Sequence, residues 1–355
     1  MLPKDGPKVV YLLGAGASAN ALPIVSLMPD ALRAQVPRLR LYFSDRPEVS
    51  NALSKYEMEL NNLARLSIDY GTLDTYARSL FLLGSKSAEL ASLKLHLSMF
   101  FLLEPFLAGV PGPKSGTQKG YMCTYSIDPR YMGWLAVLLS DGLELNRRVR
   151  VLSWNYDFQV EFALARYCEA GSTDQMHERY NIHPSAADKV INEHDFFLTH
   201  LNGIAGQERR DNGIHPWYRM HVGVAPGAAA GLFKLYGAGD VKGLNLRSGF
   251  QERMTFAWEN NQVAQRAIVQ AEHALREADV LVVIGYSFPA FNRFVDKRLM
   301  AAFQQGTTRK RLVIQNPNAS KEDLLNLFEV DQDIVEISLD TNRDQFHLPN
   351  ELFVG

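Results

Sequence analysis

Polar residues of the types used in acid–base chemistry follow two apolar runs of the chain. Asn155 and Asp157 stand in "WNYD", directly after "VRVLS", and His200 and Asn202 stand in "HLNG", directly after "FFLT". A histidine titrates near neutrality and can serve as general base toward a hydroxyl or a water molecule. An asparagine can orient such groups but is no useful proton acceptor. Since side chains of an extended segment alternate with period two, His200 and Asn202 are expected to share a face.

A glycine-rich stretch near the beginning of the sequence predicts a nucleotide-binding loop. In "YLLGAGASANALP" (11–23), Gly14 and Gly16 match the first two glycines of the G-x-G-x-x-G fingerprint, but Ala19 takes the third position. A dehydrogenase also needs an acidic residue about 20 positions on to hold a ribose, and the stretch near residue 35 offers none. The loop therefore indicates nucleotide chemistry other than hydride transfer.

The same loop predicts a place for a pyrophosphate group. Gly14 and Gly16, with Ala15 between them, let backbone N–H groups approach the phosphates. The N-terminus of a following helix would favour their negative charge. Ser18 can add a hydroxyl donor or cap that helix, and the sequence leaves both roles open.

Short apolar runs that end abruptly in small or polar residues recur along the chain and predict a parallel sheet. Their continuous rather than alternating apolar character is typical of strands covered on both faces. The stretch before residue 280 has apolar residues at helical spacing, which predicts a helix packed on this sheet. Ligands of open α/β sheets bind outside the carboxyl ends of the strands. The small or polar residues that follow the strands, here called polar tips, are therefore expected to face one crevice. The predicted strands are 9–13, 149–153, 196–199, 280–284 and 311–315.

A long helical region separates the first two predicted strands. Four segments with apolar spacing of period 3.6 predict a helical insertion over residues 26–148, so that 1–25 and 149–355 form a Rossmann-like, nucleotide-binding domain. Asp74, in "GTLDTYAR", either reaches the crevice from this helical layer or serves as a charge at a helix N-terminus. The Gly- and Ala-rich stretch 222–245 is expected to form a flap beside the crevice.

Composition excludes several classes of protein. A formal net charge of -2 gives no general attraction to nucleic acid, and no apolar run reaches the length of about 20 residues that spans a bilayer. Cys123 and Cys168 are the only cysteines, with no C-x-x-C spacing, which excludes a four-thiolate zinc ribbon and fits a reducing compartment. We expect a soluble, cytoplasmic protein that contains no zinc and contacts neither membranes nor nucleic acid directly.

The motifs, in their order along the chain, resemble those of a known family. "GAGAS" followed by a proline, then "WNYD", "HLNG" and "GYSF", is similar to the sirtuin pattern, and more closely to the bacterial sirtuin-like NAD-degrading enzymes of anti-phage defence. Within that group the chain resembles the type associated with a HerA-type ATPase. Two features of deacylating sirtuins are missing, the zinc ribbon and the "IPDFR" segment, where this chain reads "LPIVS" at 22–26.

The resemblance implies roles for individual residues. Asn155 would orient water or the ribose, and Asp157 would hold the nicotinamide end or the local loop. The alternative for both is an Asx-turn that caps the next helix. Residues of the loops after the last two predicted strands would lie on the adenosine side of NAD; they are Gly285, Ser287 and Asn316.

The resemblance leaves the general base open. Sirtuin-like enzymes carry the catalytic histidine directly before a glycine, but here Asn202 precedes Gly203, and the nearest histidine is His200. Either His200 is the base, or catalysis needs no base, or the protein is inactive.

The implied function is an NAD glycohydrolase that releases nicotinamide and ADP-ribose and depletes NAD during anti-phage defence. Because unrestrained hydrolysis would be lethal, its control by homo-oligomerisation or by a HerA-type ATPase partner is expected. The alternatives are an NAD-dependent protein deacylase and a non-catalytic module that binds NAD or ADP-ribose.

Overall fold

The computed structural model describes residues 6–110, 124–170, 173–184, 194–209, 229–233, 236, 250–259, 261–305 and 309–354. Cys123 and most of the expected flap at 222–245 lie outside the described residues. Inside that stretch, residues 229–233 are helical, and Phe233 and Tyr236 are buried in the core.

Seven strands form one parallel sheet with β1 at its centre. The strand order is β3-β4-β2-β1-β7-β8-β9, and a separate antiparallel pair consists of β5 and β6. All five predicted strands are present in this sheet, each within one residue of its predicted bounds. The described strands are β1 (Val9–Leu13), β2 (Val149–Ser153), β3 (Ile182–His183), β4 (Phe197–His200), β5 (Gly203–Arg209), β6 (Phe250–Met254), β7 (Val280–Ile284), β8 (Lys310–Gln315) and β9 (Val335–Asp340).

Helices cover both faces of the sheet, which confirms the Rossmann-like α/β fold with a large helical insertion after the first strand. On one face Val10 and Leu12 pack with α8, α9 and α10, whose bounds are given below; on the other, Val9 and Tyr11 pack with α5 and α6. The helices are α1 (Met28–Tyr42), α2 (Ser50–Asp69), α3 (Leu73–Leu82), α4 (Ser87–Leu103), α5 (Pro129–Leu138), α6 (Gln159–Tyr167), α7 (Thr173–Arg179), α8 (Gln262–Glu277), α9 (Arg293–Phe303) and α10 (Lys321–Phe328).

The strands end together at one edge of the sheet. Leu13 lies opposite both Ser153 and Ile284, and Ser153 also lies opposite His200. The residues that follow β1, β2, β4 and β7 therefore emerge side by side. This register positions the loops of the site.

Helices α1 to α4 form a layer with its own core, which also contains residues of β5 and β6. The segment Ser87–Leu107 has the length and the mean hydropathy (1.4) of a membrane span, but 78% of its apolar window is buried inside the fold. Its apolar side chains thus serve a protein core, in keeping with the expected soluble protein; a cytoplasmic location stays a prediction. The side chains of α5 pack with the sheet, and the predicted domain limits of 26 and 148 stay a prediction as well.

A buried ion pair holds the helical layer together. Arg38 on α1 donates to Glu104, which directly follows α4, and both side chains are fully buried. Gln35 donates to the second carboxylate oxygen of Glu104 at 2.8 Å, and Tyr56 on α2 donates to Gln35 at 2.8 Å. Buried charges of this kind stabilise a fold only while both partners remain.

We expect Glu104→Ala to lower the free energy of unfolding by about 3–5 kcal/mol, because it leaves the Arg38 charge buried without a counter-charge. Urea unfolding followed by circular dichroism measures this change. Asp69→Ala, which removes an exposed partner of Arg65, is the control and is expected to cost less than about 1 kcal/mol. Equal losses in the two variants would contradict a special role of the buried pair.

Candidate active site

A cavity of about 450 Å³ lies at the carboxyl ends of the strands, between the sheet and the helical layer. Four of the five predicted polar tips line it, those after β1, β2, β4 and β7. Its volume is in the range of small-molecule sites. Of the residues predicted for a site, it brings together Ala15, Ser18, Asn155, Asp157, Asn202, Gly285 and Ser287.

The loops after β1 and β7 pack backbone against backbone, and their glycines make this approach possible. Gly16 N–H donates to Gly285 C=O at 2.8 Å, and Gly14 N–H donates to Ile284 C=O at 2.9 Å. A Cβ on Gly285 would lie 2.3 Å from the carbonyl carbon of Gly16, and its φ of +61° favours glycine. The N–H groups of Gly14 and Gly16 are thus used inside the protein, which differs from the predicted approach to phosphate.

The segment after Gly14 is a 3₁₀ helix of four residues, Ala15–Ser18, and α1 begins only at Met28. The helix expected after the loop is thus present only as this short 3₁₀ helix. Ala15 and Ser18 line the cavity, and Ser18 shares a hydrogen bond with Tyr131 at 3.2 Å. Asn316 does not line it; its amide donates to Tyr286 C=O at 3.1 Å and so supports the loop that carries Ser287.

Asn155 connects the ends of three strands. Its side-chain amide donates to Gly14 C=O at 3.0 Å and to Ser18 Oγ at 3.4 Å. Its own carbonyl is hydrogen-bonded to Nδ1 of His200, at the end of β4, at 3.0 Å. These bonds fix the side chain of Asn155 at the cavity wall, although Asn155 itself is only 8% exposed.

His200 lies behind the cavity wall and is not among the lining residues. Its Nδ1 faces the carbonyl of Asn155, and its Nε2 faces Glu161 Oε1 at 3.0 Å. Because a carbonyl and a carboxylate both accept, both ring nitrogens act as donors and the imidazole is in its charged form. In this position His200 has no lone pair directed at the cavity.

A buried carboxylate between two histidines supports this arrangement. His177 Nε2 lies 3.3 Å from the same oxygen of Glu161. Burial alone would raise the pKa of Glu161, but the charges and hydrogen bonds of His200 and His177 outweigh it and lower the pKa to about 2. Burial opposes the charge on His200, yet Glu161 and the Asn155 carbonyl raise the pKa of His200 above its ordinary value.

Asp157 forms the Asx-turn that the sequence offered as one alternative, and it also lines the cavity; its role toward a ligand stays a prediction. Its Oδ1 accepts from the N–H of Gln159 at 3.0 Å, an Asx-turn at the beginning of α6, and the residue also lines the cavity. Burial raises the pKa of Asp157 to about 6, against the lowering by the Gln159 N–H, the Ser18 hydroxyl and the His200 charge.

Asn202 lines the cavity and contains a buried oxygen without a described partner. It is 6% exposed, and its Oδ1 is buried with no hydrogen-bond partner among the described residues. Its backbone is held by Thr255 N–H, which donates to Asn202 C=O at 2.8 Å. Gly203, next in sequence, has φ of +68°, and a Cβ there would lie 1.9 Å from Arg253 C=O, so only glycine fits. Buried acceptors without a partner are costly, and a ligand donor can satisfy this one.

Aromatic side chains that the sequence analysis did not single out form much of the wall. Trp154 and Tyr286 stack with ring centroids 6.0 Å apart, and Phe256 and Trp258 stack at 5.0 Å. Trp154 and Tyr286 belong to the "WNYD" and "GYSF" motifs, where they alternate with the polar positions. Phe256 and Trp258 follow β6, a strand that was not predicted, so no signal pointed to them.

Asp74 reaches the cavity, one of the two alternatives that the sequence left open. It lies in the first turn of α3, but the cap of that helix is Thr72, whose Oγ1 accepts from Thr75 N–H at 3.1 Å. Asp74 is therefore both a charge in the first turn of α3 and a lining residue of the cavity, and burial raises its pKa to about 6.

Among the described residues, no group of three or more His, Cys, Asp and Glu side chains could hold a metal ion. Cys168 is free, and its sulfur lies 3.2 Å from the hydroxyl of Tyr180. The absence of zinc stays a prediction.

Comparison with known proteins gives only a distant likeness. No protein-family model and no curated protein sequence matches the chain. Two solved structures of Sir2 proteins align with nearly all of it. Sir2Tm bound to a propionylated peptide is 14% identical, with 97% of this chain and 91% of that chain aligned at a TM-score of 0.37. Sir2 in complex with the inhibitor EX-527, 2'-O-acetyl-ADP-ribose and a deacetylated p53 peptide is 13% identical, with 96% and 91% aligned at a TM-score of 0.37. Similarity at these identities and TM-scores supports no conclusion about the residues of the site.

We expect Gly285→Ala to destabilise the protein by more than the roughly 1–3 kcal/mol of a strained backbone alone, because the new methyl group would also clash with the Gly16 backbone. Gly71→Ala is the matched control: its φ is +78°, but nothing lies within 4 Å of the added Cβ. Urea unfolding of both variants measures the difference. A loss in Gly285→Ala no larger than in Gly71→Ala would show that the two loops can separate freely.

The Glu161–His200 pair makes a prediction about pH. The pKa of Glu161 falls from its ordinary 4.5 to about 2, so this carboxylate stabilises the fold above pH 4.5 and the gain is lost as the pH falls through 2. The raised pKa of His200 gives stabilisation that is complete below 6.5 and is lost as the pH rises through its folded value. The ion pair therefore stabilises the fold most between pH 4.5 and pH 6.5.

At pH 6 we expect Glu161→Gln to lower the free energy of unfolding by about 3–5 kcal/mol, and the loss to shrink as the pH falls from 4.5 toward 2. Denaturant unfolding across this range measures the effect. Glu57→Gln, which removes an exposed partner of Arg40, serves as control with less than about 1 kcal/mol at every pH. A loss in Glu161→Gln that does not change with pH would contradict the charged pair.

Proposed function

We propose that the protein hydrolyses NAD in this cavity and releases nicotinamide and ADP-ribose. The observation that carries the proposal is the convergence of Asn155, Asp157 and Asn202 on one aromatic-walled cavity at the carboxyl ends of parallel strands. In open α/β sheets this is where ligands bind. The order of the motifs along the chain, which resembles that of sirtuin-like NAD-degrading enzymes, supports the same reaction.

The lining of the cavity fits the charged end of NAD. Two carboxyl groups, those of Asp74 and Asp157, face it, and the described lining residues include no Lys, Arg or His. Aromatic rings attract a cation through their faces. A planar, positively charged nicotinamide ring suits such walls, and the unpaired oxygen of Asn202 can accept a hydrogen bond from its carboxamide.

The reaction makes specific demands on these residues. When the bond between ribose and nicotinamide breaks, positive charge builds on the sugar, as in glycoside hydrolysis. Asp157 lies at the cavity, and its ionised carboxylate stabilises the positive charge that develops on the sugar. Asn155, held by Gly14 and His200, orients the ribose or the attacking water. The loops that carry Ala15 and Ser287 would hold the phosphate and adenosine parts.

A second candidate is a non-catalytic module that binds NAD or ADP-ribose. It is favoured by the hydrogen bonds of His200, whose ring has no lone pair directed at the cavity, and by Asn202 in the position before Gly203. A protein deacylase would use the same NAD site but would need an acylated peptide as second substrate.

The biological setting follows from the proposed reaction. An enzyme that depletes NAD fits the role of an effector in anti-phage defence, held inactive by homo-oligomerisation or by a HerA-type ATPase partner until infection. These parts of the proposal are supported by the resemblance of the motifs.

We expect the purified protein to release nicotinamide from NAD without any acylated peptide, and Asn155→Ala to reduce the rate about 10²–10³-fold, because a preorganised polar group at the reacting centre is lost. Chromatography of nicotinamide and ADP-ribose measures the rate. Asn51→Ala, on the exposed face of α2, is the control and should leave it unchanged.

Two outcomes separate the alternatives. Release only when an acylated peptide is added would identify a deacylase. If calorimetry shows that NAD binds but no nicotinamide is released, with or without the acylated peptide, the result would favour the non-catalytic module. Thermal unfolding of Asn155→Ala shows whether a lost rate reflects a lost fold.

A further inference from the structure

Asp74 is a carboxylate that the helical layer places in the cavity, away from the strand ends that supply the other polar groups. It is the second residue of α3, and it lines the cavity together with Thr72 and Thr75 of the same turn. The cap hydrogen bond at the N-terminus of α3 is made by Thr72 and not by Asp74. Among the described residues Asp74 has no hydrogen-bond or ion-pair partner.

The surroundings of Asp74 suit a positively charged ligand. Burial raises the pKa values of Tyr156 and Tyr286 well above their usual range, and the charge of Asp74 adds to both. Both tyrosines line the same cavity as Asp74. The described lining residues include no cationic side chain, so a positively charged ligand can supply the counter-charge of this carboxylate.

A second, independent feature of the same cavity also calls for a ligand. The Oδ1 atom of Asn202 is buried and has no hydrogen-bond partner among the described residues, and Asn202 is 6% exposed. A ligand that carries both a positive charge and an N–H donor matches the carboxylate and the amide that Asp74 and Asn202 bring to the cavity lining. The nicotinamide group has this combination.

Among the described lining residues, only Asp74 and Asp157 carry carboxyl groups that could accept a proton. Both nitrogens of His200 are hydrogen-bonded behind the wall, and Asn202 is an amide. Asp157 accepts from Gln159 N–H through Oδ1. Asp74 is the one lining carboxylate without a described partner, and its pKa of about 6 suits a base that works near neutral pH.

We propose that Asp74 recognises the positively charged ring of the ligand and accepts the proton of the attacking water. The inference rests on the proposed NAD hydrolysis and adds to it a catalytic residue from the helical layer.

The step balances without any further reactant. The bond between the ribose carbon and the ring nitrogen breaks, and its electron pair stays on the nitrogen, which becomes neutral. The water oxygen forms a bond to the same ribose carbon. One proton of the water passes to the carboxylate of Asp74 and then to solvent, so that NAD and water give nicotinamide, ADP-ribose and a proton.

The recognition of charge is tested first, by calorimetry at pH 8. The probes are carba-NAD, whose ribose ring oxygen is replaced by a methylene so that it does not hydrolyse, and NADH, whose dihydronicotinamide ring is uncharged. We expect the wild-type protein to bind carba-NAD more tightly than NADH. In Asp74→Asn we expect the ratio of the two affinities to fall about tenfold. Asp74→Glu, which keeps the charge, should regain part of it, and Asp69→Asn, an exposed carboxylate at the end of α2, should keep all of it.

Turnover is tested with the same variants. We expect Asp74→Asn to release nicotinamide about 10²–10⁴-fold more slowly than the wild-type protein, since that is the usual contribution of a general base. Its fold is checked by thermal unfolding. The raised pKa of Asp74 means that its carboxylate costs stability as the pH rises through about 6, so Asp74→Asn should melt no lower than the wild type at pH 8.

The outcomes distinguish this inference from the proposed function. A preference for carba-NAD that survives in Asp74→Asn, or wild-type turnover in that variant, overturns the inference and leaves NAD hydrolysis standing. A preference that depends on Asp74, in a wild-type protein that releases no nicotinamide, supports the recognition of charge and overturns the proton step together with the proposed hydrolysis.

Discussion

The geometry of the site depends on the hydrogen bonds that hold Asn155. Its amide binds Gly14 C=O at the end of β1, and its carbonyl binds His200 at the end of β4, while the residue itself follows β2. Three parallel strands are thus tied at their carboxyl ends by one side chain and one carbonyl. The charge of His200, balanced by Glu161 in the interior, strengthens the second of these bonds. The buried ion pair acts on the cavity through Asn155 and through the charge that His200 places near Asp157, which makes His200 and Glu161 positioning residues.

The cavity is completed by parts of the chain that lie far from the strand ends. Helices α3 and α4 supply one wall, and the segment after β6 supplies Phe256 and Trp258. The sheet alone would present polar groups to open solvent, where a carboxylate or an amide competes with water. Beneath the helical layer the same groups are desolvated, which is why the pKa values of Asp74 and Asp157 both rise to about 6.

Much of the fold could be predicted because buried parallel strands leave a strong signal in the sequence. The strands β1, β2, β4, β7 and β8 are buried on both faces, so each appears as a largely apolar run with an abrupt polar end. The missed strands lack this signal: β3 has two residues, and β9 alternates between buried and exposed positions. Gly14 and Gly16 were correctly placed at the loop, but their contact with Gly285 depends on a strand almost 270 residues away. The same limit applies to His200, whose bond to Glu161 joins β4 to α6.

Because its walls come from both the sheet and the helical layer, the cavity exists only when the two are folded together. A ligand that fills it binds the native state and not the unfolded chain, and so adds RT ln(1 + [L]/Kd) to the stability, about 2.7 kcal/mol at a hundred times Kd. Occupancy thereby makes the helical layer and the sheet more cooperative in unfolding. The melting temperature of the whole chain becomes a measure of ligand binding that requires no turnover.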